Sequence, residues 1–373
     1  MTGDRGSGPA ADLAPFPVSA ATQVFDLPRG LELESGERLA PLRVAYRTWG
    51  SLDASGSNAV LVCHALTGGA DVDTWWPELL GEGRAFDPAQ DFVIASNVLG
   101  GCYGTTGPAS ERPDGGPSPA GRWANRWGRD FPDVTIRDMV RLQAELLSHL
   151  GVERLALVIG GSMGGMQALE WAAMFPERVA ALAPLCVSAR HSPWCIGLSR
   201  AQRRAIEADP AWRGGVYPPE DPPAEGLAVA RMIAQCTYRS WESFERFGRD
   251  QRRPGYFEAE SYLDYQGNKL VGRFDANSYL TLTRSMDSHD LGRGRGSVAA
   301  ALAAIQQPAL VVSVDSDLLY PPREQEELAA GMPRAELAVL SSLHGHDGFL
   351  TEGAVLGERL RRFRARLRDR SAA

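Results

Sequence analysis

Lysine is almost missing from this chain. Of 39 basic side chains only Lys269 is a lysine, a bias that reads as composition and leaves little room for Schiff-base chemistry. Paired cysteines are missing as well. The five thiols, Cys63, Cys102, Cys186, Cys195 and Cys236, are odd in number and scattered, without a C-x-x-C spacing, which argues against a zinc or redox centre. Reduced, buried thiols in a cytoplasmic protein are the expectation. No apolar run approaches the roughly 20 residues of a membrane-spanning helix, and residues 1–15 hold no signal-peptide core. Positive charge is not in excess either: the net charge of −7 has the wrong sign for non-specific nucleic-acid binding. What is present is 373 residues, 44% hydrophobic and 23% charged, enough for one large α/β domain with an insertion or for two domains.

One stretch organises the rest. Leu155 to Ile159 is an apolar run that predicts a buried strand; Gly160-Gly161-Ser162-Met163-Gly164-Gly165 follows as a turn, and then an apolar helix begins. Gly160, Ser162 and Gly164 fit G-x-S-x-G, a nucleophile elbow. A strand that turns sharply into a helix strains its central residue and leaves no room for flanking side chains. The hydroxyl is thereby presented at the end of a sheet, over helix N–H groups that favour developing negative charge.

In chain order, residues 1–15 read as a disordered tail, and Phe25–Tyr46 as an antiparallel hairpin around Gly30 and Gly36. Ala59–Cys63 and Asp91–Ala95 read as short buried strands, the second running into a loop at 97–108 rich in Gly and Thr. Thr135–Leu150 has helical apolar spacing, with Asp133 and Thr135 as candidate caps and Gly151 as terminator. A strand at Val179–Val187 completes β–α–β–α–β order, hence a mostly parallel sheet with its site at the strands' carboxyl ends. Residues 188–297 show no clear buried strand, only helical pieces such as Leu198–Ala208, Leu227–Tyr238 and Asn277–Met286 between Pro- and Gly-rich joints. This segment reads as a helical cap over the sheet's active end. The sheet resumes at Ala309–Val314, a helix follows at Pro322–Gly331, a last strand at Ala335–Leu340 and a closing helix at Thr351–Leu367. The organisation is a tail (1–15), a core (16–187 and 298–373) and a cap (188–297).

A serine hydroxyl needs a base, and the base needs an orienting group. In this fold the acid and then the histidine follow the serine in the chain. Asp315 and Asp317 stand just beyond one strand, His344 and His346 beyond the next; spacing alone does not choose within either pair. The oxyanion calls for two backbone N–H donors. One is that of Met163, after the nucleophile; for the other, the His64–Gly69 loop is well placed and Leu66 is the best candidate. His64 precedes the serine and reads as a packed histidine beneath that loop.

From Phe25 to Glu352 the chain resembles the homoserine O-acetyltransferases of the α/β-hydrolase superfamily. The segments that carry the resemblance are HALTG (64–68), NVLGGCYGTTGP (97–108), GGSMGGMQALEWA (160–172), SARHSPWC (188–195), GLAVARM (226–232), TYRS (237–240), DSDLLYPP (315–322) and GHDGFL (345–350). The resemblance implies an α/β-hydrolase fold with a helical cap, with Ser162 as nucleophile, Asp317 as triad acid and His346 as base. It further implies that Arg231 and Asp347 hold the amino-acid substrate, a guanidinium suiting its carboxylate and a carboxylate its ammonium. The implied reaction is ping-pong transfer of acetyl from acetyl-CoA to L-homoserine. CoA is then a substrate and not a retained cofactor; no metal is expected, as the cysteine pattern already indicates, and the resemblance further suggests a homodimer joined through cap helices. Other readings on the same residues are a succinyl donor, a serine acceptor, an esterase, or a non-catalytic binding protein.

Overall fold

The structure, a computed structural model, describes residues 16–113, 115 and 125–372; the expected tail at 1–15 lies outside the described residues. Its centre is an 8-stranded sheet. The strands are β1 (Gln23–Leu27), β2 (Leu42–Trp49), β3 (Ala59–Cys63), β4 (Phe92–Ser96), β5 (Leu157–Gly161), β6 (Leu182–Leu185), β7 (Ala309–Val314) and β8 (Ala335–Leu340). They lie in the order β1-β2-β4-β3-β5-β6-β7-β8. β2 is antiparallel to both β1 and β4, and every other pairing is parallel. The main helices are α1 (Ile136–His149), α2 (Met163–Met174), α3 (Pro193–Ala208), α4 (Ala224–Tyr238), α5 (Glu258–Val271), α6 (Ala276–Asp287), α7 (Pro322–Gly331) and α8 (Gly353–Ala372).

The central strands read as continuous apolar runs because both faces are covered. On β3, Leu61 and Cys63 join one core layer with Met139 and Leu146 of α1 and Met166 and Leu169 of α2. Val60 and Val62 join the opposite layer with Leu356 and Leu360 of α8. Each fully buried aliphatic side chain contributes about 1.5–3 kcal/mol, so these two layers fix the position of the strand ends that carry the site. Of the two candidate caps of α1, Thr135 is the one used. Its hydroxyl accepts from Asp138 N, and the Asp138 carboxylate accepts from Thr135 N, a capping box.

Some boundaries differ from the sequence reading. β6 is shorter than the apolar run 179–187: at its start Val179 makes only an isolated bridge with Leu155, and at its end Cys186 turns into the left-handed region at φ 46°. The hairpin expected over Phe25–Tyr46 is nested. β1 and β2 form its outer pair, and a two-residue pair, Leu31–Glu32 with Arg38–Leu39, sits between them. Cys236 is exposed, unlike the other four cysteines, because its position on α4 faces away from the packed surface.

Between β6 and β7 the chain forms the cap, where α4 packs between α3 and α5, and α6 packs on α3. Sequence reading passed over α5, for it buries only Gly267 and Leu270 and so carries almost no apolar period. The cap's return to the core is rooted by Glu170 of α2, buried and ion-paired to both Arg137 (3.0 Å) and Arg295 (2.7 Å). Arg137 also donates to the carbonyls of Asp290 and Arg293. No helix among the described residues is long and apolar enough to cross a membrane.

Candidate active site

The turn at Ser162 is tighter than the glycine run suggests. Gly160 and Gly161 remain in register with β3 and β6, and Met163 already begins α2, so Ser162 alone makes the turn. Its backbone sits at φ 56°, ψ −123°, a strained conformation for a residue with a Cβ. Close approach explains the flanking glycines. A Cβ on Gly164 would lie 2.1 Å from the Cys63 carbonyl oxygen, and one on Gly160 2.5 Å from the backbone of Gly164.

At the carboxyl end of β7, Asp317 is the aspartate that meets a histidine. Its Oδ2 accepts from His346 Nδ1 at 2.8 Å, while Oδ1 accepts from the N–H groups of Leu319 and Tyr320 at 2.8 and 2.9 Å. The carboxylate is thus held by fixed backbone donors, with Nδ1 of the ring engaged by it, and His346 lines the same cavity as Ser162. Asp315 instead receives Ser342 N, and His344 lies outside the cavity that holds Ser162 and His346. The imidazole of His346 is boxed by Tyr320, Phe349 and Tyr238, with ring centroids 5.3, 5.5 and 5.7 Å away. Burial by itself pushes its pKa down; the charge and hydrogen bond of Asp317, with Asp347 behind them, outweigh that and hold it above the ordinary 6.5.

The thiol of Cys186 completes a buried group with Asp317 and His346, their ligand-type atoms all within 4.8 Å of one another. Burial raises that thiol well above its usual pKa, so it stays protonated and is a poor partner for a metal, which binds thiolate.

Met163 is the first residue of α2, and the first N–H groups of a helix have no acceptor within it. Leu66 is the second residue of a turn closed by Gly68 N on the Ala65 carbonyl at 2.9 Å, a position whose own N–H the turn does not use. Leu66 borders the same cavity as Ser162. His64 lies beneath this loop: Nδ1 bonds the Ala65 carbonyl at 2.8 Å and Nε2 accepts from Val98 N at 3.2 Å. With both nitrogens used and burial lowering its pKa to about 4, His64 is a neutral structural histidine.

The cap closes the chamber, a cavity of about 520 Å³ walled by Ser162, His346, Arg231, Asp347, Tyr238 and Arg273 among others. Arg231 projects from α4 across the ring of Tyr238, 5.3 Å from its centroid. Gln235, its amide oxygen turned toward the guanidinium, accepts from Arg231 Nη2 at 2.7 Å. The end of α4 is fastened to the histidine loop: Ser240 Oγ donates to the Leu343 carbonyl at 2.6 Å. Gly345, at φ 63°, lies so close that a Cβ would fall 2.7 Å from Ser240 N. That seam brings Arg231 and Asp347, 116 positions apart, to one chamber. Burial raises the pKa of the Asp347 carboxyl, against the lowering charges of Arg231, His346 and Arg239.

Sequence reasoning gave no place in the site to Tyr238, Tyr103 or Arg273, and read Lys269 as a mark of composition; all four line this cavity. Tyr103 and Tyr238 stood inside segments already noted for their resemblance. Lys269 and Arg273 carried no local signal, because they border the chamber only once the cap folds over it.

A sheet of this strand order, with a serine elbow after its fifth strand and a helical insertion after its sixth, defines the class: this is an α/β-hydrolase-fold protein. The family model of that fold matches residues 58–352. The homoserine O-acetyltransferase of Chlorobaculum tepidum is 55% identical over 351 residues, 94% of this chain and 96% of the relative. Among solved structures, a homoserine O-acetyltransferase from Bacillus anthracis superposes with a TM-score of 0.83 at 26% identity, over 92% of this chain and 97% of that one. Esterase E22 does so equally, at 0.83 and 26%, over 92% of this chain and 99% of that one. The chain belongs to the homoserine O-acetyltransferase family, and it is an acyltransferase.

Proposed function

We propose that this enzyme moves an acetyl group from acetyl-CoA to the hydroxyl of L-homoserine through an acetyl-Ser162 intermediate, a step of methionine biosynthesis. The observation that carries the acceptor is the meeting of Arg231 and Asp347 on the chamber shared by Ser162 and His346. The acceptor's carboxylate pairs with the guanidinium and its ammonium with the carboxylate, which leaves its hydroxyl near the base. His346 takes the Ser162 proton, and the oxygen attacks the thioester carbonyl. The N–H groups of Leu66 and Met163 stabilise the oxyanion, about 3–4 kcal/mol per donor. The C–S bond breaks, and the departing sulfur takes the proton from His346. The homoserine hydroxyl then gives its proton to His346 and attacks the acetyl carbon; the bond from that carbon to the Ser162 oxygen breaks, and the departing serine oxygen takes the proton back from His346. Asp317 holds the imidazole's tautomer throughout. The cap keeps water from the acyl-enzyme, so transfer outruns hydrolysis.

In this reading no cofactor is retained, and the enzyme works in the cytoplasm. The free cysteines support that location. It is a homodimer through the cap, where the exposed Trp194, Val229 and Trp241 supply apolar surface.

The experiment is release of free thiol from acetyl-CoA or succinyl-CoA, with homoserine or serine as acceptor. Rapid release is expected only for acetyl-CoA with homoserine. Thiol release at the same rate without any acceptor marks an esterase and removes the transferase reading. Arg231→Met is expected to raise the KM for homoserine about 10- to 100-fold, the worth of a charged hydrogen bond, with acetyl-enzyme formation little changed. An unaltered KM would take Arg231 out of the acceptor site.

A further inference from the structure

Two cations that border the chamber, Lys269 and Arg273, have no part in the chemistry described so far. Arg273 stands in the short joint between α5 and α6, on the cap, yet its bonds go to the core. Its Nη1 donates to the Thr67 carbonyl at 2.7 Å and to the Tyr103 hydroxyl at 2.8 Å, and its Nη2 to Thr67 Oγ1 at 3.3 Å. These partners are all neutral, so each of the three bonds is donated by a charged group to a neutral acceptor. Thr67 is the residue after Leu66, inside the Ala65–Gly68 turn. Tyr103 belongs to the loop that Asn97 ties in place: Asn97 Nδ2 donates to the Tyr103 carbonyl at 2.6 Å and Asn97 Oδ1 accepts from Ala70 N at 2.7 Å. One planar fork from the cap therefore gathers two loops of the core that both line the chamber.

We propose that Arg273 is a positioning residue for the oxyanion hole, a latch by which the seated cap aims the Leu66 N–H. The proposal rests on the reading of Leu66 as an oxyanion donor. A glycine-flanked turn has little of its own to hold its amides in one direction. The guanidinium fixes the Thr67 carbonyl and side chain together, which holds the Thr67–Gly68 peptide and, through the turn that Gly68 N closes on the Ala65 carbonyl, restrains the Ala65–Leu66 peptide that carries the donor N–H. An open cap withdraws the latch, so that the serine is fully armed only in the closed chamber.

The test is the single-turnover rate of Ser162 acetylation by acetyl-CoA in the full-length enzyme. Affinity for a CoA-linked trifluoromethyl ketone, which forms a tetrahedral adduct on the serine, is measured beside it. Arg273→Met is expected to slow acetylation about 10- to 100-fold, less than loss of a whole oxyanion donor, and to weaken the adduct in proportion. The KM for homoserine and the acidic limb of the pH profile stay in place, and Arg273→Lys regains part of the rate. An acetylation rate within about twofold of wild type overturns the latch, as does a slower rate with unchanged affinity for the adduct. Should Arg273→Met not fold, Tyr103→Phe removes one of the three bonds and is expected to slow the same step a few-fold; no change there is equally fatal. Wild-type enzyme that never becomes acetylated on Ser162 removes the underlying reading itself, a result distinct from either.

Discussion

Ser162→Ala incubated with acetyl-CoA alone is expected to gain no acetyl group by intact-protein mass spectrometry, while the wild type gains one. The turnover number with homoserine should fall about 10⁶-fold, the scale seen when a serine nucleophile is removed from a triad enzyme. The substitution is structurally mild. Alanine meets the same φ of 56° that serine does, and the Ser162 side chain makes no capping bond to α2. Thermal denaturation should therefore overlay that of the wild type, which separates loss of chemistry from loss of fold. An acetyl group that still appears on the alanine variant would place the nucleophile elsewhere.

The second large effect is expected from Asp317→Asn, a loss of about 10⁴-fold in turnover. An amide in this position can turn its NH₂ toward His346 Nδ1 and stabilise the wrong tautomer, with the proton on the nitrogen that faces the serine. The pH profile carries an independent sign. In the wild type, burial lowers the His346 pKa but Asp317 outweighs it, so the base is held above its ordinary value. The base must be neutral to accept a proton, hence kcat/KM rises with pH through that elevated pKa. Without the carboxylate charge, burial is left as the largest influence and the pKa falls. The acidic limb should then move to lower pH even as the plateau collapses. A limb that stays in place, or moves upward, would mean that Asp317 does not set the charge of this imidazole.

The fold was legible because the strands announce themselves. AVLVC, LVIGG and ALVVSV are short apolar runs bounded by glycine or polar turns, and buried parallel strands have no other composition open to them. The closing helix reads as clearly, with Leu356, Leu360 and Phe363 all buried against the sheet. α5 was not legible, because a helix that buries two small areas against other helices leaves no apolar stripe. Nor was the nested form of the first hairpin, whose inner pair is only two residues long on each side.

The site divides in the same manner. Local chemistry in the chain by itself determined the elbow, since a strand that turns at once into a helix needs glycines beside its central residue; the close approach of Cys63 to Gly164 is added by the folded sheet. It also determined the presence of an acid and a histidine after the last strands. Which aspartate and which histidine meet was decided by tertiary structure. At Asp317 the loop folds back so that two N–H groups and the imidazole converge on one carboxylate, while Asp315, two residues away, is turned to Ser342. That Arg231 and Asp347 line one chamber, and that Arg273 bonds Thr67 across 206 positions, likewise depends on the folded cap. Spacing along a chain governs what neighbouring residues do; closure of an insertion over a sheet is governed by packing among distant faces, and no local pattern carries that information.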